Sequence, residues 1–154
     1  MREMLLKQLR AVTQSVTGLF RMCPLDRLHF EPSPGVRSLL KLGNHFAAVP
    51  LVDLAVLQGN PGQVTETIEE SLHGAGPDDW VEIFTRGSRA VTDFFEAMSE
   101  EDFGTLVTRA HYGTAHTQVE WLLEAVTHIY HHRGQLYAYL RMMGVLVDVE
   151  HLYT

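Results

Sequence analysis

Two histidines four residues apart, His128 and His132, are the residues of this chain best suited to chemistry. They lie in a long stretch with helical periodicity, and residues i and i+4 of a helix share one face. Both rings can therefore reach one ion, a spacing that metal-binding helices use. His45 lies in another apolar helical stretch and is a third candidate ligand. Three neutral imidazoles around one ion leave a coordination position open for water or substrate.

The helix that carries His128 and His132 has a polar inner face. At ~100° per residue, one narrow arc contains Thr117, Trp121, Glu124, His128, His132, Gln135 and Tyr139. A purely structural face would carry leucine and valine, and buried polar groups are costly unless they are paired. His45 alone is typical of a hydrogen-bonded core histidine. Together, the three histidines on inward-facing stripes predict a metal site.

Two neighbours of the histidine pair have open roles. Glu124 is the one candidate for catalysis: it can be a general base, a fourth ligand, or an acceptor that fixes an imidazole tautomer. A glutamate that merely reaches the end of the bundle is an equal alternative. His131 lies toward the edge of the polar arc, so we interpret it as lying beside the site or at an interface rather than as a ligand.

Four amphipathic segments must position these side chains. They cover residues 2–21, 35–57, a stretch that begins near Asp78 or Asp79, and 116–143. Pro50 is expected to kink the second segment, and Gly144 is expected to end the fourth. The pattern predicts a single all-α domain over residues 1–154, a four-helix bundle. The connection between the second and third helices is long enough to cross the bundle.

The connecting segments give weaker signals. Residues 65–70 are compatible with a short helix, 73–77 with a loop, 99–102 with a helical turn and 106–108 with a short strand. The final ten residues form a mildly apolar tail. Self-association would cover this tail, unless it packs back on its own bundle.

Composition narrows the function classes. The chain has 154 residues, of which 45% are hydrophobic and 20% charged, as in a globular domain. The net charge of -7 argues against a nucleic-acid or anionic-membrane partner. Cys23, the single cysteine, has no partner for an intramolecular disulfide, and the N-terminal segment does not resemble a signal peptide. We therefore expect a cytoplasmic protein.

Three segments resemble the DinB/YfiT-like superfamily of four-helix-bundle metalloproteins. They are LKLGNHFAAVP at residues 40–50, HIYHHRGQ at 128–135 and LYAYLRMMG at 136–144. The second matches the family's H-x3-H-R-G-Q motif, and the similarity in length and spacing extends over essentially the whole chain. The resemblance implies a bundle with a crossover connection, a homodimer and a divalent metal ion on three histidines. Those histidines map onto His45, His128 and His132.

The resemblance also implies a range of activities. Members of the family include thiol-dependent S-transferases, a mycothiol-dependent isomerase and proteins thought to be hydrolases. The resemblance therefore predicts a metal-dependent transferase that acts on a small-molecule substrate with a low-molecular-weight thiol. A metal-dependent hydrolase and a non-catalytic metal-binding stress-response protein are the alternatives, and the same residues serve all three. Three nitrogen ligands suit zinc or nickel best, with copper and iron also allowed.

Overall fold

The computed structural model describes residues 1–72 and 75–153, and it is mainly helical. The helices are α1 (Arg2–Arg21), α2 (Leu39–Leu57), α3 (Gly62–Glu70), α4 (Pro77–Ala97), α5 (Glu100–Thr105) and α6 (Gln118–Met142). The strands are β1 (Val107–Arg109) and β2 (Ala115–Thr117), and 3-10 turns cover Leu25–Arg27 and Val149–Leu152. The predicted all-α fold class is confirmed.

The four long helices α1, α2, α4 and α6 form the bundle. Helix α1 packs against α4 and α6, and α2 packs against the same two helices. Helices α1 and α2 therefore face each other across the bundle, as do α4 and α6. The chain crosses the bundle in the segments 22–38 and 98–117. The connection between the second and third long helices is long enough to cross the bundle, but α2 and α4 are neighbours.

An aromatic cluster fills the core beside the second helix. The rings of Phe20, Phe46, Trp80 and Phe84 are fully buried. The Phe20 ring centroid lies 5.3 Å from that of Phe46 and 5.6 Å from that of Trp80. Burying a side chain of this size stabilises the fold by roughly 1.5–3 kcal/mol. Since Phe46 follows His45 in the chain, the cluster fixes the backbone of α2 where that histidine projects.

Helices α2 and α4 approach each other closely at Gly43. A Cβ atom on Gly43 would lie 2.4 Å from the indole ring of Trp80, so a side chain there would force the helices apart. Asn44 follows Gly43 in the chain, and its Oδ1 accepts a hydrogen bond from the Nε1–H group of Trp80 at 2.6 Å. This contact sets the register of α2 on α4 one residue before His45.

Two helices begin at residues other than those predicted. Helix α2 begins four residues later than expected because Ser38 caps it, its Oγ accepting from the Lys41 backbone N–H. Helix α4 begins after Gly76, whose backbone N–H donates to the Asp79 carboxylate at 2.9 Å. Asp79 therefore lies inside the first turn rather than at the cap. From that position its carboxylate accepts the backbone N–H of the capping residue.

The shorter elements follow the weaker signals of the sequence. Helices α3 and α5 match the expected short helix and helical turn, and β1 matches the expected strand within a residue. Strand β2 was not predicted, since its sequence Ala-His-Thr lacks a large apolar residue like the valine of β1. It pairs antiparallel with β1, and the hairpin is held to α6 where Trp121 Nε1–H donates to the Thr108 carbonyl oxygen. Residues 73 and 74, in the expected loop, lie outside the described residues.

The C-terminal tail packs back on its own bundle. The Ser15 hydroxyl donates to the carbonyl oxygen of His151 at 2.9 Å, and Val147 is buried. The guanidinium group of Arg133 donates to the carbonyl oxygen of Leu152 and stacks on the ring of Tyr130. The arginine of the H-R-G-Q motif therefore anchors the tail.

Helix α2 is the most apolar of the long helices. Among the described residues it is the one helix long and apolar enough to cross a membrane, with a mean hydropathy of 1.3. In the structure 56% of that stretch is buried within the protein. This is typical of a central helix in a bundle.

Candidate metal centre

Three imidazole rings from two facing helices converge on one point. Nε2 of His132 lies 3.0 Å from Nε2 of His128 and 3.2 Å from Nε2 of His45. The three ligand atoms all lie within 4.8 Å of one another. Helix α6 brings its two histidines together by the i,i+4 spacing, and the packing of α2 on α6 brings in the third. The structure thus places the three predicted ligands side by side.

Each ring is held by an acceptor at its other nitrogen. Nδ1–H of His45 donates to Glu69 Oε1 at 3.0 Å, and Nδ1–H of His132 donates to Gln135 Oε1 at 2.8 Å. Nδ1–H of His128 donates to both oxygens of the Asp53 carboxylate at 3.1 Å. A carboxylate can only accept, so the proton of a neutral ring is held on Nδ1. The Nε2 lone pairs are left to point at the shared centre.

This arrangement fits a divalent cation. Three lone pairs at close separation repel one another unless a positive charge lies between them. Imidazoles whose Nδ1–H groups are held by carboxylates or carbonyls are the usual ligands of protein metal sites. The residues present therefore suit a metal with nitrogen ligands.

The surroundings shift the pKa values of the three histidines in different directions. Burial lowers the pKa of His132 to about 4, and the positive charges of its histidine neighbours act in the same direction. Burial also lowers the pKa of His45. The hydrogen bond to Asp53 raises the pKa of His128. Two of the three rings are therefore kept neutral near pH 7, which is the form that binds a metal.

Glu124 is not among the three clustered ligands. Its Oε2 lies 3.2 Å from Nε2 of His116, and its side chain is about half exposed. Glu124 and Asp53 line a small pocket of about 20 Å3 under Tyr112. The acceptor role that the sequence allowed for Glu124 belongs instead to Asp53, Glu69 and Gln135 at the three rings.

His131 lies beside the cluster. It is exposed to solvent, and its ring centroid lies 5.0 Å from that of His132 in an edge-on contact. Its ring is not among the three that converge. The face assigned to it from the helical wheel is consistent with this position.

Two residues of the site were missed from the sequence. Asp53 carries a signal in hindsight, because it is the one carboxylate within the apolar sequence of α2. A charge in a core helix needs a partner, and its partner is His128. Glu69 gives no comparable signal, since it lies among other glutamates on the short helix α3.

Four packed helices with three imidazoles converging between α2 and α6 define a class, the helical bundles with a three-histidine centre. The chain belongs to the DinB superfamily, whose family model matches residues 8–136. This finding confirms the resemblance seen in the sequence motifs.

Solved structures of DinB-like proteins share the fold. A protein assigned to the DinB family from Exiguobacterium sibiricum is 21% identical, with a TM-score of 0.80 over 97% of this chain and 96% of that chain. A DinB-like protein from Bacillus cereus is 18% identical, with a TM-score of 0.75 and 95% of each chain covered. One from Bacillus subtilis is 18% identical, with a TM-score of 0.65 and 92% of each chain covered. A comparison with curated protein sequences gave no significant match.

Proposed function

We propose that this protein binds one divalent metal ion through His45, His128 and His132 and uses it as a transferase with a low-molecular-weight thiol. The observation that carries the proposal is the convergence of the three Nε2 atoms, each on a ring whose Nδ1–H group is already held. Zinc and nickel are the metals that suit this set of ligands best.

The surroundings of the cluster favour an enzyme over a purely structural site. A structural zinc site is closed by four protein ligands, whereas a catalytic one keeps a position open. Among the described residues three side chains converge, and Glu124 is paired with His116. A pocket of about 270 Å3 opens beside His45. This volume accommodates a small molecule or one end of a larger one.

The protein side chains would prepare the site for thiol chemistry. A divalent ion bound there would supply the Lewis acidity that stabilises a thiolate at neutral pH. Asp53, Glu69 and Gln135 orient the three rings. Glu124 is the residue that we propose takes up the proton released by the thiol. The sulfur forms a bond to an electrophilic carbon, and the leaving group departs with the electrons of its bond.

Hydrolysis is the second candidate function, supported by the same open position. Water would take the place of the thiol there, with its pKa lowered toward ~7. The two functions differ in their co-substrate, since a transferase needs a thiol and a hydrolase needs only water.

Turnover assays on the metal-loaded protein test this proposal. We expect product formation from an electrophile only when a thiol is present, and none with His132→Ala. His131→Ala is the matched control, because it removes a neighbouring imidazole outside the cluster. Turnover without any thiol would favour the hydrolase. Equal turnover by wild type and His132→Ala would contradict both.

A further inference from the structure

Two cations lie at the edge of the histidine cluster, on the side of His45. Arg37 and Lys41 line the 270 Å3 pocket together with Asn44, His45 and Glu69. Both cationic side chains belong to exposed residues. We call the part formed by Arg37, Lys41 and Asn44 the cationic pocket.

Arg37 and Lys41 do not stabilise helix α2. Lys41 lies in the first turn of α2 and Arg37 just before its cap, where the partial positive charge of the helix disfavours a cation. Within residues 1–72 and 75–153, neither side chain is within ion-pair distance of a carboxylate. Two unpaired cations in an unfavourable position, on the wall of a pocket, indicate an anion that binds there.

The donors of the cationic pocket suit a carboxylate. The guanidinium group of Arg37 offers a planar pair of N–H donors, and Lys41 offers a point charge. Oδ1 of Asn44 already accepts from Trp80, which leaves the amide N–H groups of Asn44 to donate. Glu69 adds one negative charge to the lining, but its Oε1 is bonded to His45.

The opposite side of the cluster has the opposite charge. The small pocket beside His128 is lined by Asp53 and Glu124. An anionic group is therefore repelled from that side and attracted to the side of Arg37 and Lys41. The electrostatic difference orients a ligand across the three histidines.

We propose that the cationic pocket binds the carboxylate of an anionic thiol whose sulfur lies at the three-histidine centre. This inference rests on the proposed function and adds the substrate class to it. Arg37 and Lys41 then determine specificity, because they select an acidic thiol over a neutral thiol of the same size.

The test measures thiol binding to the full-length protein loaded with Co2+, without turnover. A thiolate that binds Co2+ produces a charge-transfer absorption band, which gives the affinity directly. The probes are 3-mercaptopropionate and 3-mercapto-1-propanol, which are similar in size and differ in charge. We expect the wild type to bind the acidic thiol about tenfold more tightly at low salt, with the ratio falling as salt is added.

The variants separate the inference from the proposed function. In the double variant R37Q/K41Q the ratio should fall to about one, with the affinity for the neutral thiol unchanged. Lys7→Gln, which removes an exposed lysine of α1, should keep the wild-type ratio. Equal affinities in the wild type, or an unchanged ratio in the double variant, would overturn the inference and leave the proposed function standing. Failure to bind Co2+, or a Co2+ protein without a thiolate band, would overturn the proposed function and this inference with it.

Discussion

At the scale of single residues, the candidate metal centre depends on the hydrogen-bond acceptor at Nδ1 of each ring. His128 is bonded to a largely buried carboxylate, His45 to an exposed one and His132 to an amide. These partners fix which nitrogen carries the proton, and burial fixes how readily a second proton adds. The three candidate ligands were predictable from residue type and spacing. Their acceptors Asp53 and Glu69 were not, because those contacts depend on how α2, α3 and α6 pack.

Burial of His132 makes the metal-free protein sensitive to acid. Its pKa is about 4 in the folded protein and ~6.5 in an unfolded chain. Below pH 6.5 the unfolded chain therefore binds a proton that the folded chain excludes, so the free energy of unfolding decreases as the pH falls. We expect His132 to account for a loss of about 3 kcal/mol between pH 7 and pH 4.

Urea denaturation of metal-free wild type and His132→Gln at the two pH values measures this difference. His131→Gln, which alters an exposed ring, should behave as the wild type does. The same pH dependence in wild type and His132→Gln would show that this ring is not kept neutral by the fold.

Asp53 should control the metal affinity of His128. Replacing Asp53 with Asn keeps the shape and removes the charge, so His128 becomes a weaker base and a weaker ligand. We expect Asp53→Asn to lower the affinity for Zn2+ by roughly 10–100-fold. Competition by protons should also change. In the wild type, affinity falls below the raised pKa of His128, and in the variant this fall should begin at a lower pH.

Competitive titration with a chelator over a range of pH gives both quantities. Glu66→Gln, in the exposed part of α3, is the control and should bind as the wild type does. An unchanged affinity in Asp53→Asn would mean that the carboxylate does not tune the ligand.

At the scale of elements, the position of His45 is set by the contact between α2 and α4. The sequence predicts both helices from their periodicity, but it does not show that Gly43 lies against Trp80. A glycine within a helix is unfavourable by ~1 kcal/mol relative to alanine, and at Gly43 the close approach of Trp80 is what requires it. The starts of α2 and α4 were also displaced from expectation, because Ser38 and Asp79 can serve at more than one position of a first turn.

The Gly43 contact gives a prediction on stability and metal binding together. Gly43→Ala places a Cβ atom where the indole ring of Trp80 lies, so we expect a loss of about 1–3 kcal/mol. The shift of α2 should also weaken metal binding at His45. Gly134→Ala is the matched control, since a Cβ there would lie in open space within the described part of the chain.

Thermal denaturation and metal titration of the two variants measure these effects. Gly134→Ala should be neutral or stabilising by up to ~1 kcal/mol. A Gly43→Ala protein as stable as the wild type, with full metal affinity, would contradict the role of this contact.

At the scale of the whole molecule, the tail changes how self-association should be tested. The sequence left open whether the tail covers a partner or its own bundle, and Val147 is buried on the bundle. Deleting the tail would therefore expose the core. Leu146 remains 92% exposed and Met142, near the end of α6, 64% exposed. Pairing of two copies would cover such exposed apolar side chains.

We expect a homodimer in solution and a monomer for Leu146→Asp. Light scattering at micromolar concentration should give about twice the chain mass of 17.4 kDa for the wild type. Leu25→Asp changes another exposed leucine and should leave the dimer intact. A wild-type mass near 17.4 kDa would contradict the homodimer, and a dimeric Leu146→Asp would place the interface elsewhere.

The most direct test of the account is the metal content of purified protein after incubation with Zn2+ or Ni2+ and removal of free metal. The three converging Nε2 atoms predict one ion per chain in the wild type. His128→Ala and His132→Ala should each retain none, and His131→Ala should retain nearly all, since its ring lies outside the cluster. A wild-type protein without bound metal, or a greater loss in His131→Ala than in His132→Ala, would contradict the three-histidine centre.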